Sequence, residues 1–386
     1  MSTMDHVRYL SDTIGPRGST TPKEAEAAQY AAGVLQRLGL QPATEPFTSA
    51  RSAWYPYVAF SGLLVVGVVL FWFAGTWGAV AALILAALSL GSVLLELAFR
   101  PNPFRAVLPK GPSQNVWARI APAGEVKRHA VILGHLDSHR TPLAFSTDRW
   151  LALFKTLVPL GLVSSVILLI LFAIGIASPA VGWRIASVPF ALLLLGVLAL
   201  TIQADLTPYT VGANDNATAV GVVLSTAERL LKQPLRHTEV WAVLSGCEEV
   251  GCYGADAFAE AHKHELGDAV WIALDSVGSR GRPVYITKET FLTTAPSDLH
   301  LVKTADHISM AHPEWRVEGD TFAGAYTEGA IGVKHGFRVL SMTSSPKGKA
   351  LTEWHRPTDT VANLDADVLA ASEAFLWALL REVDAE

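Results

Sequence analysis

The sequence predicts an α/β fold with a mixed, mostly parallel central sheet flanked by helices, together with four transmembrane helices in two hairpins. Three observations predict it. Short apolar runs end on histidine or acidic residues, as buried parallel strands do where they reach the lip of a sheet. Hydrophobic residues make up 51% of the 386 and charged residues only 17%, and the mean hydropathy is +0.32, a balance shifted toward membrane proteins. That apolar excess is concentrated in two blocks rather than spread along the chain.

Taken in order, Thr21-Pro22 followed by Glu24 predicts a helix start, with Thr21 as cap and Pro22 in the first turn; Gly39 ends that helix. The first apolar block follows. From Ser52 to Leu95 there is no charged residue, and Gly75-Thr76-Trp77-Gly78 divides the stretch into two runs, each about long enough to cross a bilayer as a helix. The alternating NVWARI is a strand. HAVILGHLDSHR has an apolar core, Ala130 to Leu133, that reads as a buried strand delivering His135 and Asp137 to its C-terminal end. The second apolar block, Thr156 to Ala177 and Ile185 to Ala204, is split by Ser178-Pro179.

Beyond it, GANDNATAVGVVL leads from a loop carrying Asp215 into an amphipathic helix. Val240 to Leu244 is a strand, Gly246 marks a turn, and Glu248 and Glu249 precede a helix. AVWIALDSVGS is a strand ending on Asp275. A strand or loop PVYITK, a helix SDLHLVKTADHI, the stretch DTFAGAYTEGAIGVKHGFRVLSMT, the loop with His355 and a helix from Asp365 complete the chain. The expected organisation is one discontinuous domain, residues 1–51, 100–155 and 205–386, interrupted by hairpins at 52–99 and 156–204.

The alternative for the apolar blocks is buried helices of a large soluble domain. Such helices keep a polar outer stripe, whereas these are apolar all round and carry Trp54, Tyr55, Tyr57, Trp72, Trp77 and Trp183 near their ends, like an interfacial belt. No ionisable residue lies in their interiors away from the ends, which argues against proton relay or a transport pore. Arg51, Arg100, Arg105, Lys110, Arg140, Arg149 and Lys155 flank the spans on one side and only Arg184 on the other, so the larger domain is expected in the cytoplasm. The opening MSTMDHVRYLSD has no apolar core of the kind a signal peptide needs. A net charge of −5 gives no reason to expect nucleic acid as a partner.

Cys247 and Cys252 are the only cysteines, which excludes a disulfide framework; they read as reduced, partly buried small side chains, with one local disulfide as the alternative. The chemistry lies in His135, Asp215, Glu248, Glu249, Asp275 and His355. Two imidazoles and three carboxylates suit a pair of divalent zinc ions, because neutral nitrogen and anionic oxygen are the ligands zinc takes where a position stays open for water; the sixth residue is then free to act as a base. Any one of these alone reads differently. Asp275 alone would be a turn or cap residue, and Asn214 and Asn216 could merely shape a turn. His139, His237, His262, His264, His300, His307, His312 and His335 read as surface or loop residues.

GHLDSH, GANDNATAVGVVL, CEEVGCYGA, ALDSVG and WHRPTDT together resemble the metal-binding motifs of the M28 family of zinc aminopeptidases, and HVRYLSDTIGPRGSTTPKEAEAAQYAAGVLQRLGL is similar to its opening helical region. The resemblance covers the chain apart from the two apolar blocks. It implies the zinc-exopeptidase fold and a metallo-aminopeptidase with peptide substrates and two zinc ions per chain. Asp215 would bridge both ions, His135 and Asp275 complete one site, Glu249 and His355 the other, and Glu248 serve as general base. Asp137 and Asp359 would orient the imidazoles. In the family the peptide after the bridging aspartate is often cis. One departure is Thr327-Glu328, where relatives carry a Ser-Asp or Thr-Asp pair; Tyr326 beside it would bond an oxyanion or fill the core, the latter being favoured. Other reactions on this scaffold, a carboxypeptidase or a glutaminyl cyclase, and a non-catalytic M28-like membrane module are the rival readings. M20 hydrolases share the GHxD and EE pattern but match GANDNATA less well.

Overall fold

The computed structural model describes residues 1–291, 293–347 and 352–386. Its strands form where apolar and β-branched residues run between turn signals. They are β1 (Ala43–Ala50), β2 (Lys110–Ile120), β3 (Arg128–His135), β4 (Thr238–Ser245), β5 (Val270–Leu274), β6 (Arg282–Thr290), β7 (Thr294–Pro296), β8 (Glu318–Ala323) and β9 (Arg338–Ser345). One sheet results, in the order β1-β2-β4-β3-β5-β9-β6-β7, with β8 paired to β6. β4, β3, β5 and β9 are mutually parallel and β8 lies parallel to β6, whereas β1–β2, β2–β4, β6–β9 and β6–β7 are antiparallel. The sheet is therefore mixed, and the expectation of a mostly parallel sheet holds only for its centre. Parallel neighbours need a long crossover, and the helices Ala219–Lys232 and Tyr253–Leu266 supply crossovers on either side of β4.

The central strands are buried along almost their whole length because both faces of the sheet are covered. On one face Ile132, Leu244, Ile272 and Leu340 pack with Ala27 and Leu35 of helix Pro22–Arg37, Val223 of helix Ala219–Lys232 and Phe375 of helix Ala366–Ala385. On the other, Trp241 and Trp271 pack against Phe258 of helix Tyr253–Leu266, with ring centroids 6.0 and 6.1 Å away. Helix Pro22–Arg37 is capped as its sequence predicts: Thr21 accepts from the Glu24 N–H and Pro22 occupies the first turn.

The chain divides into two units, residues 1–51, 110–140 and 209–386 in one and residues 52–109 and 141–208 in the other. In the first unit the two interruptions are closed at the base: Ala50 pairs with Lys110 in the β1–β2 ladder, and Arg140 forms an antiparallel bridge with Tyr209. Each break in the sheet unit thus leaves and re-enters through neighbouring residues.

The second unit contains four helices, Tyr55–Phe73, Gly75–Leu97, Asp148–Ala177 and Val181–Asp205, each long and apolar enough to cross a membrane. They support a multi-pass membrane protein. Leu64, Phe71, Ala82, Leu168, Phe172 and Leu194 form their shared core, with Phe71 and Phe172 edge to face at 5.2 Å. Their other faces stay apolar and exposed, as at Ile84, Ile170 and Leu192. The third helix begins eight residues before the expected Thr156. Thr147 caps it by accepting from the Trp150 N–H, and its 30 residues rise about 45 Å, more than the apolar thickness of a bilayer, so Asp148, Arg149 and Lys155 extend the helix beyond the apolar run.

His6 is buried in the sheet unit, with Nδ1 2.7 Å from the Tyr30 hydroxyl, and burial holds its pKa down at about 4. An unfolded histidine protonates near pH 6.5, so between about 6.5 and 4 the unfolded chain binds more protons and stability is lost as the pH drops, by at most ~3 kcal/mol from this group. A His6→Gln variant should show a flatter Tm-against-pH curve than the parent across that window. Parallel curves would contradict the assignment.

Candidate metal centre

β4, β3 and β5 are adjacent and parallel, so their C-terminal ends open at one edge of the sheet, where open α/β folds collect ligands. β3 ends on His135 itself. β4 runs into Gly246 and Cys247 and then Glu248 and Glu249, and Asp275 follows β5 directly. Gly246 fits because a side chain there would meet Ser113 Oγ and the Gln114 carbonyl. Asp215 lies on the loop before helix Ala219–Lys232, and its peptide bond to Asn216 is cis. His355 comes from the loop after β9.

Asp215 stands between the two imidazoles. Its Oδ1 lies 3.3 Å from His135 Nε2 and its Oδ2 lies 3.4 Å from His355 Nε2. Glu249 Oε2 is 3.3 Å from the same His355 nitrogen, and Glu248 Oε2 is 3.8 Å from His135 Nε2. Two atoms that each sit about 2.0–2.1 Å from one tetrahedral zinc are about 3.3 Å apart, so these are separations a shared ion would impose. The potential ligand atoms of His135, Asp215 and Asp275 lie within 4.8 Å of one another, as do those of His139, Glu249 and His355 and those of His135, Glu248 and Glu249. These overlapping clusters fit one or more metal ions. Glu249 Oε1 is buried without a hydrogen-bond partner, as a ligand atom for a cation is.

The charges point the same way. Burial pushes the Glu248 and Glu249 carboxyls well above their usual range, with neighbouring carboxylates adding to the shift, and pushes Asp275 up to about 6. Burial acts on Asp215 too, yet hydrogen bonding and charge from both histidines hold it below the ordinary carboxylate range. His135 is drawn well above its usual value: burial opposes its charge, but Glu248 and the bonds to Asp137 and Asp215 prevail. So much buried negative charge calls for cations.

The supporting residues behave as follows. Asp137 accepts from the Glu248 N–H at 3.0 Å, the Glu249 N–H at 3.2 Å and Ser19 Oγ at 2.6 Å, and its main-chain oxygen is 3.1 Å from His135 Nδ1. It orients His135 and the glutamate pair together. Asp359 accepts the main-chain N–H groups of Asn214 and Asp215 at 2.6 and 3.1 Å, so it holds the backbone of Asp215. Asn214 and Asn216 do more than shape a turn: Asn216 bonds the Leu274 carbonyl and the Ser276 N–H on either side of Asp275, and Asn214 accepts from the Gly278 N–H.

Three residues go beyond the sequence reading. Arg17 is fully buried and donates to the carbonyls of Leu10, Gly15, Leu136, Val211 and Gly212, at 2.6 to 3.1 Å. One guanidinium thus joins the backbone beyond β3 to the approach to Asp215, and its only sequence signal is Gly-Pro-Arg-Gly in a loop. His139, expected as a surface or loop residue, lies in a loop but is buried and stacked on His355 at 3.6 Å; the polar sequence around it gives no periodicity from which burial follows. Glu328 is buried, bonded to Ser245 and pushed up to about 7 by burial, with Oε2 left without a partner. Tyr326, favoured as a core aromatic, is half-buried instead and bonds the Thr293 main chain and hydroxyl. Both cysteines are free and buried, and the Cys252 thiol donates to Glu248 Oε1 at 3.3 Å.

Residues 197–380 match the model of peptidase family M28. That segment holds Asp215, Glu248, Glu249, Asp275 and His355, with His135 outside it. Among solved structures, the chain resembles a zinc aminopeptidase from Bacillus subtilis at 13% identity and a TM-score of 0.60, covering 99% of this chain and 94% of that one. It also resembles a leucine aminopeptidase precursor from Bacteroides thetaiotaomicron at 13% identity and a TM-score of 0.57, over 98% and 97% of the two chains. A glutaminyl cyclase from Tannerella forsythia matches at 14% identity and a TM-score of 0.57, again over 98% and 97%. No curated protein matches the sequence. The fold is M28-like, and the family match together with the clustered ligands supports a zinc-dependent peptidase, a hydrolase of peptide bonds.

Arg17 generates a test of how the centre is held. Arg17→Met leaves five carbonyls without their donor and should destabilise the protein by about 3 kcal/mol or more. Arg17→Lys, with three donors, should recover only part of the loss. Denaturant titration of the parent and both variants checks the order.

Proposed function

We propose that the protein is a membrane-anchored two-zinc exopeptidase that removes N-terminal residues from peptides. The observation that carries this reading is Asp215, whose two oxygens each face a different histidine at 3.3 and 3.4 Å, with Glu249 at 3.3 Å beside the second. In this reading Asp215 would be shared by two ions, His135 and Asp275 would complete one site, and Glu249 and His355 the other. Zinc bound there would polarise the scissile carbonyl and lower the pKa of the attacking water.

The chain's own residues do the rest. Glu248 stays uncoordinated beside Glu249, takes the proton from the attacking water and delivers it to the leaving amine. Its position is set twice: its N–H is fixed by Asp137 and its Oε1 accepts from the Cys252 thiol. Asp137 keeps the glutamate pair in register with His135, and Asn216 does the same for Asp275 relative to Asp215.

The four apolar helices serve in this reading as two transmembrane hairpins that interrupt one catalytic domain, and the flanking arginines and lysines put that domain in the cytoplasm. Hairpins suit the closed bases at Ala50–Lys110 and Arg140–Tyr209, since each returns the chain to the side it left. The partners are then peptide substrates and the lipid bilayer.

Glu248→Gln should retain metal and lose turnover by about 10²–10⁴-fold. Asp215→Ala should lose both ions, whereas Asp275→Ala should weaken one. Elemental analysis and assays in detergent check all three. The Tannerella forsythia match favours one second reading, cyclisation of N-terminal glutamine. Aminoacyl, N-blocked and N-terminal glutaminyl peptides separate the two: release of free amino acids from unblocked peptides alone supports the exopeptidase, and pyroglutamyl product supports the cyclase.

A further inference from the structure

His139 is fixed from both ends. Its Nδ1 lies 2.7 Å from the Arg140 carbonyl, and its own carbonyl accepts the Thr210 N–H at 2.9 Å. Arg140 in turn bridges to Tyr209, and Ser138 Oγ donates to the Thr210 carbonyl at 2.8 Å. The ring held this way lies nearly parallel to that of His355, 12° from it with centroids 3.6 Å apart. His355 sits in a loop at φ +52°, outside any strand or helix, with the Trp354 ring tilted beside it at 4.7 Å. Asp359, four residues on, is engaged by the main-chain N–H groups of Asn214 and Asp215.

Two imidazoles ligating one tetrahedral zinc hold their ring centres about 5 Å apart, given Zn–N distances of about 2.0–2.1 Å. At 3.6 Å and near-parallel the pair is a stack, not two ligands of one ion. His139 nonetheless groups with Glu249 and His355 within 4.8 Å, at the edge of the second ion's site.

We propose that His139 is the positioning residue of that site: its ring, locked to the Arg140–Tyr209 neck, stacks on His355 and holds its Nε2 toward Glu249 and Asp215. This rests on the two-ion reading of the centre. What the stack supplies is a flat face at a fixed place, which a benzene ring can also supply. Residues that orient a ligating histidine from behind commonly change metal affinity by 10–100-fold when removed.

The test is stepwise zinc binding to the detergent-solubilised full chain, by competition with a chromophoric chelator, for the parent, His139→Ala, His139→Gln and His139→Phe. The expected result is two ions on the parent, ~10–100-fold weaker binding of one ion only in His139→Ala and His139→Gln, and parental affinity in His139→Phe. Visible absorption of the cobalt-loaded proteins should change in the same order. Should His139→Ala not fold, the comparison of His139→Gln with His139→Phe carries the test. Parental affinity in His139→Gln, or His139→Phe as weak as His139→Gln, overturns the proposal while leaving the metal centre intact. A parent that binds no zinc overturns the metal centre and this inference together.

Discussion

Concentrated buried negative charge is the constraint on which the sheet unit depends. Asp137, Asp215, Glu248, Glu249, Asp275, Glu328 and Asp359 all lie at or next to one edge of the sheet, and each is buried or nearly so. Carboxylates taken out of water repel one another and lose hydration, which costs far more than a fold of ordinary stability can supply unless partners compensate. Two kinds of partner are present. Asp137 and Asp359 are met by main-chain N–H groups and a hydroxyl. The oxygens of Asp215 and one oxygen of Glu249 face histidine nitrogens at ion-sharing distances, a donor set suited to cations.

The division of labour follows from which oxygens are already occupied. Asp137 uses its carboxylate on the backbone of the glutamate pair, so it acts through position. Glu248 gives one oxygen to a thiol, a weak donor, and keeps the other near His135, which suits a group that must gain and lose a proton. Arg17 brings a permanent positive charge behind the cluster, and its guanidinium donates to five backbone carbonyls. It offsets the field of Asp359, Asp137, Asp215 and Glu249, and in exchange those acids keep its own pKa from falling further than about 10.

The parts of the fold legible in the sequence were those with a periodic or positional signal. Buried strands read as short apolar runs, and Thr21-Pro22 and Asp365 read as helix starts because capping is local chemistry. The long apolar helices read from length alone. The β6, β7 and β8 region was less legible, since β7 is only three residues long, β8 is largely exposed without clean alternation, and both owe their pairing to β6. In the site, the six central residues were found because each ends a strand or sits in a motif. His139 lies in a loop, one of the two places expected for it, but its burial had no signal because the ring it packs on belongs to His355, more than two hundred residues away. The bonds from the Asn214 and Asp215 main chain to Asp359 had no local signal either, since spacing from His355 points to the imidazole and the Asp215 loop lies more than a hundred residues away.

The position of the interruptions has a physical logic. A chain that leaves a sheet and returns to the adjacent residue adds only loop-closure entropy, which grows slowly with length, so 68 residues between Arg140 and Tyr209 disturb the unit little more than a short loop would. The first break exits at the end of a β-ladder remote from the ligands in sequence. The second exits one residue after His139 and re-enters six residues before Asp215, so the same bridge that closes it also fixes the backbone on both sides of the ion cluster. That closure also holds His139, whose carbonyl accepts the Thr210 N–H and whose ring stacks on His355, so the residues that shut the break are among those that shape the cluster.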